Sequence, residues 1–223
     1  MFTGRDKFSE GLKMKSLKKN SAVFLDRDGT INEEVGYLDT LEKLKLYENT
    51  AQAIKLINET GMKAIVITNQ SGIARGYFDE QFVKQVHQRI QYVLQQQGAF
   101  IDAFYYCPHH PTEGTGKYLQ SCSCRKPEPG MLIAAARDLN IDLKDSYTIG
   151  DMLKDIQVAA RVGAKSVLVK SGYGMHTLAQ GILETPGKTH IQMENIEKAM
   201  INPDYIAEDI LDAVKWIMQD RGK

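Results

Sequence analysis

The chain has 223 residues, enough for one large domain or one domain with small insertions, and its 43% hydrophobic residues suffice for a sizeable core, which excludes disorder as the dominant state. Twenty-eight basic residues balance twenty-eight acidic ones, so no overall field draws the chain to nucleic acid or an anionic membrane surface; a small diffusible substrate is the better default. Apolar runs such as Ala64 to Ile67 and Val167 to Val169 fall far short of the roughly 20 residues a spanning helix needs.

Residues 1–20 read as a polar extension: Arg5, Lys7, Lys13, Lys15, Lys18 and Lys19 occur there without an apolar signal segment, so a cytoplasmic location is expected. From residue 21 strand-like and helix-like runs alternate, the pattern of a parallel sheet wrapped by crossover helices in a single domain, 21–223. Ala22 to Leu25 is apolar without alternation, as a strand buried on both faces should be. Thr50 opens a helix with Ala53, Ile54 and Ile57 on one face, closed by Gly61, and Ala64 to Thr68 is the second strand. Asp79 caps a longer helix with Phe82, Val86, Ile90, Val93 and Leu94 at helical spacing, which stops at Gly98. A third strand, Ile101 to Tyr106, is followed by an irregular stretch from Cys107 to Pro129. Then come a helix from Met131 to Leu139, a strand from Ser146 to Ile149, a helix from Leu153 to Val162 and a strand from Ser166 to Val169, five β units in all. Residues 175–200 predict one helix among irregular segments, and Ile206, Ile210, Val214 and Ile217 predict a final helix over 206–218.

Ligands of open α/β sheets bind beyond the carboxyl ends of the strands. The first strand ends in Asp26-Arg27-Asp28-Gly29-Thr30, the second in Thr68-Asn69-Gln70-Ser71-Gly72, and the fourth in Gly150-Asp151; Arg125-Lys126-Pro127 precedes the fourth unit. On an extended segment Asp26 and Asp28 can both face the crevice while Arg27 points elsewhere. Phosphoryl transfer needs an in-line nucleophile and a cation against the equatorial oxygens. Mg²⁺ suits that need, since two carboxylates, a backbone carbonyl and a phosphate oxygen satisfy it. Asp26 can attack phosphorus, with Asp28 as acid and then base, Thr68 and Lys126 on the phosphoryl oxygens, and Asp26, Asp28 and Asp151 holding Mg²⁺. Asp155, four residues after Asp151, can orient Lys126 or a metal-bound water. Taken singly, an Asp-Gly pair reads as a turn, and Thr68 as a strand end. Their combination is what argues for a site.

All three cysteines lie between Cys107 and Cys124, a clustering that reads as metal ligands before disulfides. Cys107, Cys122, Cys124 and either His109 or His110 make a closed Cys₃His set for a structural Zn²⁺, with His109 preferred. Residues 111–121 are poor in apolar groups, so zinc supplies the order that the loop lacks and pins the adjoining Arg125-Lys126. The bland alternative is a buried thiol cluster.

The four segments Asp26-x-Asp28-Gly29-Thr30, Thr68-Asn69-Gln70, Lys126 and Gly150-Asp151-x-x-x-Asp155 resemble the ordered motifs of haloacid dehalogenase-type phosphatases, over residues 22–174. Cys107-Pro108-His109-His110-Pro111 with Cys122-x-Cys124-Arg125-Lys126-Pro127 is similar to a narrower branch, the heptose bisphosphate 7-phosphatases and the phosphatase domains of bifunctional histidinol-phosphate enzymes. Gly36-Tyr37, the run Thr68 to Gly76 and the long cysteine loop favour the heptose side. The resemblance implies a three-layer Rossmann-like sheet, capless, with a zinc loop at 107–124. It implies a Mg²⁺-dependent phosphatase that removes the C7 phosphate of a heptose 1,7-bisphosphate through an aspartyl-phosphate, in ADP- or GDP-heptose biosynthesis. It also implies that Glu34, Val35, Gly36, Tyr37, Asn69, Gln70, Ser71, Arg75 and Arg125 bind the sugar phosphate. Where the family often has lysine after the fourth-motif aspartate, this chain has Met152. The expected partner is a small sugar bisphosphate, with no nucleic acid and no membrane, and the chain is expected to be a monomer. Histidinol phosphate and nucleic-acid 3′ ends are rival substrates, the latter disfavoured by the neutral charge balance. A zinc-stabilised interaction protein is the non-enzyme rival.

Overall fold

Six parallel strands form one sheet in the order β3-β2-β1-β4-β5-β6 in the computed structural model, which describes residues 19–180 and 202–222. Strand β1 (Ala22–Leu25) lies at its centre with every side chain buried. Val23 and Leu25 face one core and Ala22 and Phe24 the other, so two-sided burial explains why the strand reads apolar without alternation. On the first face pack α1 (Thr50–Glu59), α2 (Glu80–Gln95) and α6 (Ile210–Arg221); on the second, α3 (Gly130–Asp138) and α4 (Leu153–Val162). The remaining strands are β2 (Lys63–Asn69), β3 (Ala103–Cys107), β4 (Tyr147–Gly150), β5 (Lys165–Val169) and β6 (Tyr205–Ala207), and α5 (Gly174–Ala179) follows β5.

The helices begin and end where local chemistry requires. Asp79 caps α2 by accepting from the Phe82 N–H at 2.7 Å. The inward stripe of α2 is Val83, Val86, His87, Ile90 and Leu94, whereas Phe82 and Val93 of the predicted stripe are only half-buried. Asp155 turns back to accept from the Met152 N–H at 3.1 Å, closing the first turn of α4.

Three expectations need correction. The sheet has six strands rather than five, because Tyr205–Ala207 pairs with β5. Ile206, predicted as the first position of the last helical stripe, lies in that strand, and the helix starts at Ile210. Asn20 is not in an extension: its N–H donates to Asn140 O at 2.8 Å, so the domain begins before residue 21. Residues 1–18 of the expected extension and 181–200 of the predicted 175–200 segment lie outside the described residues. No helix among the described residues is long and apolar enough to cross a membrane.

Strand order reverses at β1, which has β2 on one side and β4 on the other. The crevice beyond the carboxyl ends of β1 and β4 is therefore where a ligand should sit.

Candidate active site

Asp26 leaves β1 buried, its N–H donating to Ile149 O of β4 at 2.9 Å. Arg27 does not point elsewhere. Its guanidinium is buried and folds back onto Asp28, with Nη2 to Oδ2 at 2.7 Å and Nε to both carboxylate oxygens at 3.1 Å. A buried guanidinium needs a counter-charge, and Asp28 is the one within reach. Asn32 Nδ2 donates to Asp28 Oδ1 at 3.0 Å and Gln70 Nε2 to Oδ2 at 2.9 Å. Burial would raise Asp28, but Arg27, Asn32 and Gln70 together hold it below the ordinary carboxylate value. Gln70 also donates to Thr68 Oγ1 at 2.8 Å and accepts from Arg27 at 3.0 Å, so one amide ties the ends of β1 and β2 together.

Lys126 is buried on the opposite side of Asp26. Its Nζ lies 2.8 Å from Asp26 Oδ1 and 2.7 Å from Asp155 Oδ1, and donates to Ile67 O at 2.8 Å. Three donors meet three acceptors. Burial disfavours the ammonium, yet Asp155 and Asp26 outweigh it and hold Lys126 well above the usual lysine value. Asn69 fixes the Lys126 backbone from both sides, donating to its carbonyl and accepting from its N–H, each at 3.0 Å.

Asp151, at the end of β4, accepts at Oδ2 from the Tyr173 N–H at 2.8 Å, while its buried Oδ1 has no partner among the described residues. Burial, with Asp26 and then Asp155 nearby, pushes Asp151 up to about 8. The loops after β1 and β5 close around it at Gly29 and Gly172, both at positive φ. A Cβ at either position would run into the Asp151 carboxylate.

A cleft of about 250 Å³ opens above these groups. Of the residues expected to bind substrate, Glu34, Gly36, Tyr37, Asn69, Gln70, Ser71 and Arg125 line it. Val35 is 40% exposed and Arg75 is held by Glu113 of the cysteine loop, with the Tyr37 ring 5.9 Å away, so both lie outside the lining. Leu38, Phe78, Met152, Lys154 and Tyr173 line the cleft without belonging to any motif. For Lys154 a signal was available in its place, a cation in the first turn of a helix, where the macrodipole disfavours it.

Carboxylate oxygens of Asp26, Asp151 and Asp155 lie within 4.8 Å of one another. With one Asp151 oxygen buried and unpartnered, this all-oxygen set fits a hard divalent cation such as Mg²⁺. The side chain of Asp28, expected among the metal ligands, is instead taken up by Arg27, Asn32 and Gln70. In the cysteine loop, Cys107, His109, Cys122 and Cys124 converge, with His109 Nδ1 at 3.4 Å from Cys124 Sγ and 3.8 Å from Cys107 Sγ. Cys122 Sγ is 3.5 Å from Cys107 Sγ and 3.2 Å from Cys124 Sγ. Ligands about 2.3 Å from a tetrahedral zinc are spaced by roughly 3.5–3.8 Å, so the set fits Zn²⁺. His110 is turned away, its Nδ1 accepting from Glu113 N at 2.9 Å.

The model of haloacid dehalogenase-like hydrolases matches residues 3–163, and one described as HAD-hydrolase-like matches 123–213. A D-glycero-beta-D-manno-heptose-1,7-bisphosphate 7-phosphatase of Photorhabdus laumondii is 44% identical over 71% of this chain and 85% of its own length. The D-glycero-D-manno-heptose-1,7-bisphosphate 7-phosphatase of Thermosynechococcus vestitus is 40% identical over 88% and 94%. Among solved structures, the D,D-heptose 1,7-bisphosphate phosphatase of B. bronchiseptica, complexed with magnesium and phosphate, superposes with a TM-score of 0.74 at 31% identity, covering 90% of this chain and 99% of that one.

Proposed function

This chain belongs to the haloacid dehalogenase-like hydrolase family, and on that premise we propose that it hydrolyses the C7 phosphate of D-glycero-D-manno-heptose 1,7-bisphosphate. That it is a phosphatase follows from the family and its relatives. The observation that carries the site is the Lys126 ammonium clamped between Asp26 and Asp155, beside an Asp151 oxygen without a partner among the described residues.

Asp26 is the nucleophile in this reading: one carboxylate oxygen forms a bond to phosphorus as the bond from phosphorus to the sugar oxygen breaks. Asp28, in its protonated form, gives its proton to the departing alkoxide. Water then attacks phosphorus, the bond from phosphorus to the Asp26 oxygen breaks to free inorganic phosphate and the Asp26 carboxylate, and Asp28, now a carboxylate, takes the water proton that it will deliver in the next turnover. The Arg27 pairing favours that ionised form. Thr68 and Lys126 hold the phosphoryl oxygens, Lys126 through its charge because its donors are occupied. Asp26 and Asp151 would hold Mg²⁺, with the backbone carbonyl of Asp28 in place of its committed side chain. The ion supplies positive charge against the phosphoryl oxygens. Cys107, His109, Cys122 and Cys124 would hold a structural Zn²⁺.

Inorganic phosphate release from both anomers of the heptose bisphosphate, from histidinol phosphate and from simple monoesters tests the reading. A heptose bisphosphate should lead the panel, and turnover should vanish on Mg²⁺ chelation. Asp26→Asn should lose at least about 1,000-fold in kcat. A panel led by histidinol phosphate, or an Asp26→Asn variant as active as the parent, would refute it.

A further inference from the structure

We propose that Lys154, in the first turn of α4, is the residue that recognises the second phosphate of the substrate, gripping it from the side of the cleft facing Arg125. The inference rests on the bisphosphate reading above and assigns a specificity-determining residue within it.

Two phosphates need two sets of cations. The groups around the transferring phosphate are already committed, since all three Lys126 donors are taken by Asp26, Asp155 and Ile67, and the Arg27 guanidinium is turned onto Asp28 and Gln70. Two further cations line the cleft, Arg125 from the cysteine loop and Lys154 from α4. Among the described residues neither is in an ion pair. The one bond of the Arg125 side chain is from Nη1 to the His109 carbonyl at 3.2 Å, which aims the guanidinium without neutralising it. Lys154 is half-buried in the lining of the cleft rather than standing out in solvent.

Nothing within α4 itself favours a lysine at this position. A cation in the first turn of a helix opposes the macrodipole, and one turn on, Gln157 and Val158 offer no carboxylate to pair with it. The neighbouring position at the β4 terminus is Met152, which lines the cleft but brings no charge. An anion bound in the cleft is what the lysine fits. Once there, a second phosphate would bridge α4 and the cysteine loop and hold the sugar with its other phosphate directed at Asp26.

The experiment compares the parent, Lys154→Met and Lys154→Arg on the heptose 1,7-bisphosphate and on the 7-monophosphate of the same sugar. For Lys154→Met the KM for the bisphosphate should rise about 10- to 100-fold, the loss expected for one charge-assisted contact. Its kcat and its KM for the monophosphate should move by less than about threefold, and Lys154→Arg should recover most of the loss. Equal losses on both substrates, or a fall in kcat at constant KM, would overturn the inference and leave the bisphosphate reading standing. A parent enzyme that prefers the monophosphate would refute that reading and the inference with it.

Discussion

His87 shows how one side chain can carry a cost that the rest of the chain absorbs. It is 7% exposed, stacked on Phe104 at 4.5 Å between ring centroids, and its Nε2 has no hydrogen-bond partner among the described residues. Burial, with Arg27 adding to it, drives its pKa down to about 3. The folded state therefore keeps His87 neutral, while the unfolded chain takes up a proton near pH 6.5. Its contribution to stability is whole above pH 6.5 and is lost as the pH falls from there toward 3, at up to about 1.4 kcal/mol per pH unit. His87→Phe keeps the ring against Phe104 and removes the titration. Denaturant melts between pH 4 and 7 should show a flatter slope in the variant, by up to one proton. At this scale the sequence was informative about type more than company. Asp26, Asp28, Thr68, Lys126 and Asp151 stood out by residue type and order, but that Arg27 would turn back on Asp28 depends on the burial of its guanidinium, which no spacing reveals.

Among the elements, legibility followed burial. β1 is four residues long and was read to the residue, because burial on both faces leaves an unbroken apolar run. β6 was missed for the opposite reason: it is a three-residue edge strand in which only Ala207 is buried, and Ile206 happens to fall four residues before Ile210. What holds β6 is tertiary. Tyr205 stacks on Trp216 at 5.1 Å, and the Ser166 N–H donates to the Asp204 carboxylate at 2.7 Å. The following helix starts at Asp209, whose Oδ1 accepts from the N–H groups of Leu211 at 2.8 Å and Asp212 at 2.9 Å, while Oδ2 accepts from Asn49 at 2.8 Å, just before α1. Asp209→Ala removes a cap and a link between two helices. It should lower stability by about 1–2 kcal/mol, read as a shift in the urea midpoint at constant m-value.

For the molecule as a whole, the sheet and the cysteine loop divide the labour. The sheet brings Asp26 and Asp151 to one crevice, and the loop delivers Lys126, which Asn69 then clasps. The loop also meets the cleft rim, where Thr115 N–H donates to Ala74 O at 2.9 Å and Glu113 pairs with Arg75. Metal at Cys107, His109, Cys122 and Cys124 is therefore expected to matter at a distance. Cys122→Ser should lose bound zinc, melt at lower temperature, and fall in kcat/KM by on the order of 100-fold through misplacement of Lys126. Elemental analysis, calorimetry and phosphate release check the three effects. The cleft lining from Leu38, Phe78 and Tyr173 was not legible because chain order says nothing about which loops meet above a sheet.

The pairing of β1 with β4 also sets a timetable. Leu25 lies beside Ile149 in the sheet, and the groups that complete the crevice arrive later still, with Tyr173 covering Asp151. Contacts this far apart in the chain form slowly. As the polypeptide emerges from the ribosome, the segment bearing Asp26 appears well before β4 and the loop after β5, and it must wait for both before it has its partners. Phosphatase competence is thus a late acquisition during synthesis, and a truncated product ending before β4 would carry the nucleophile without the setting that makes it one.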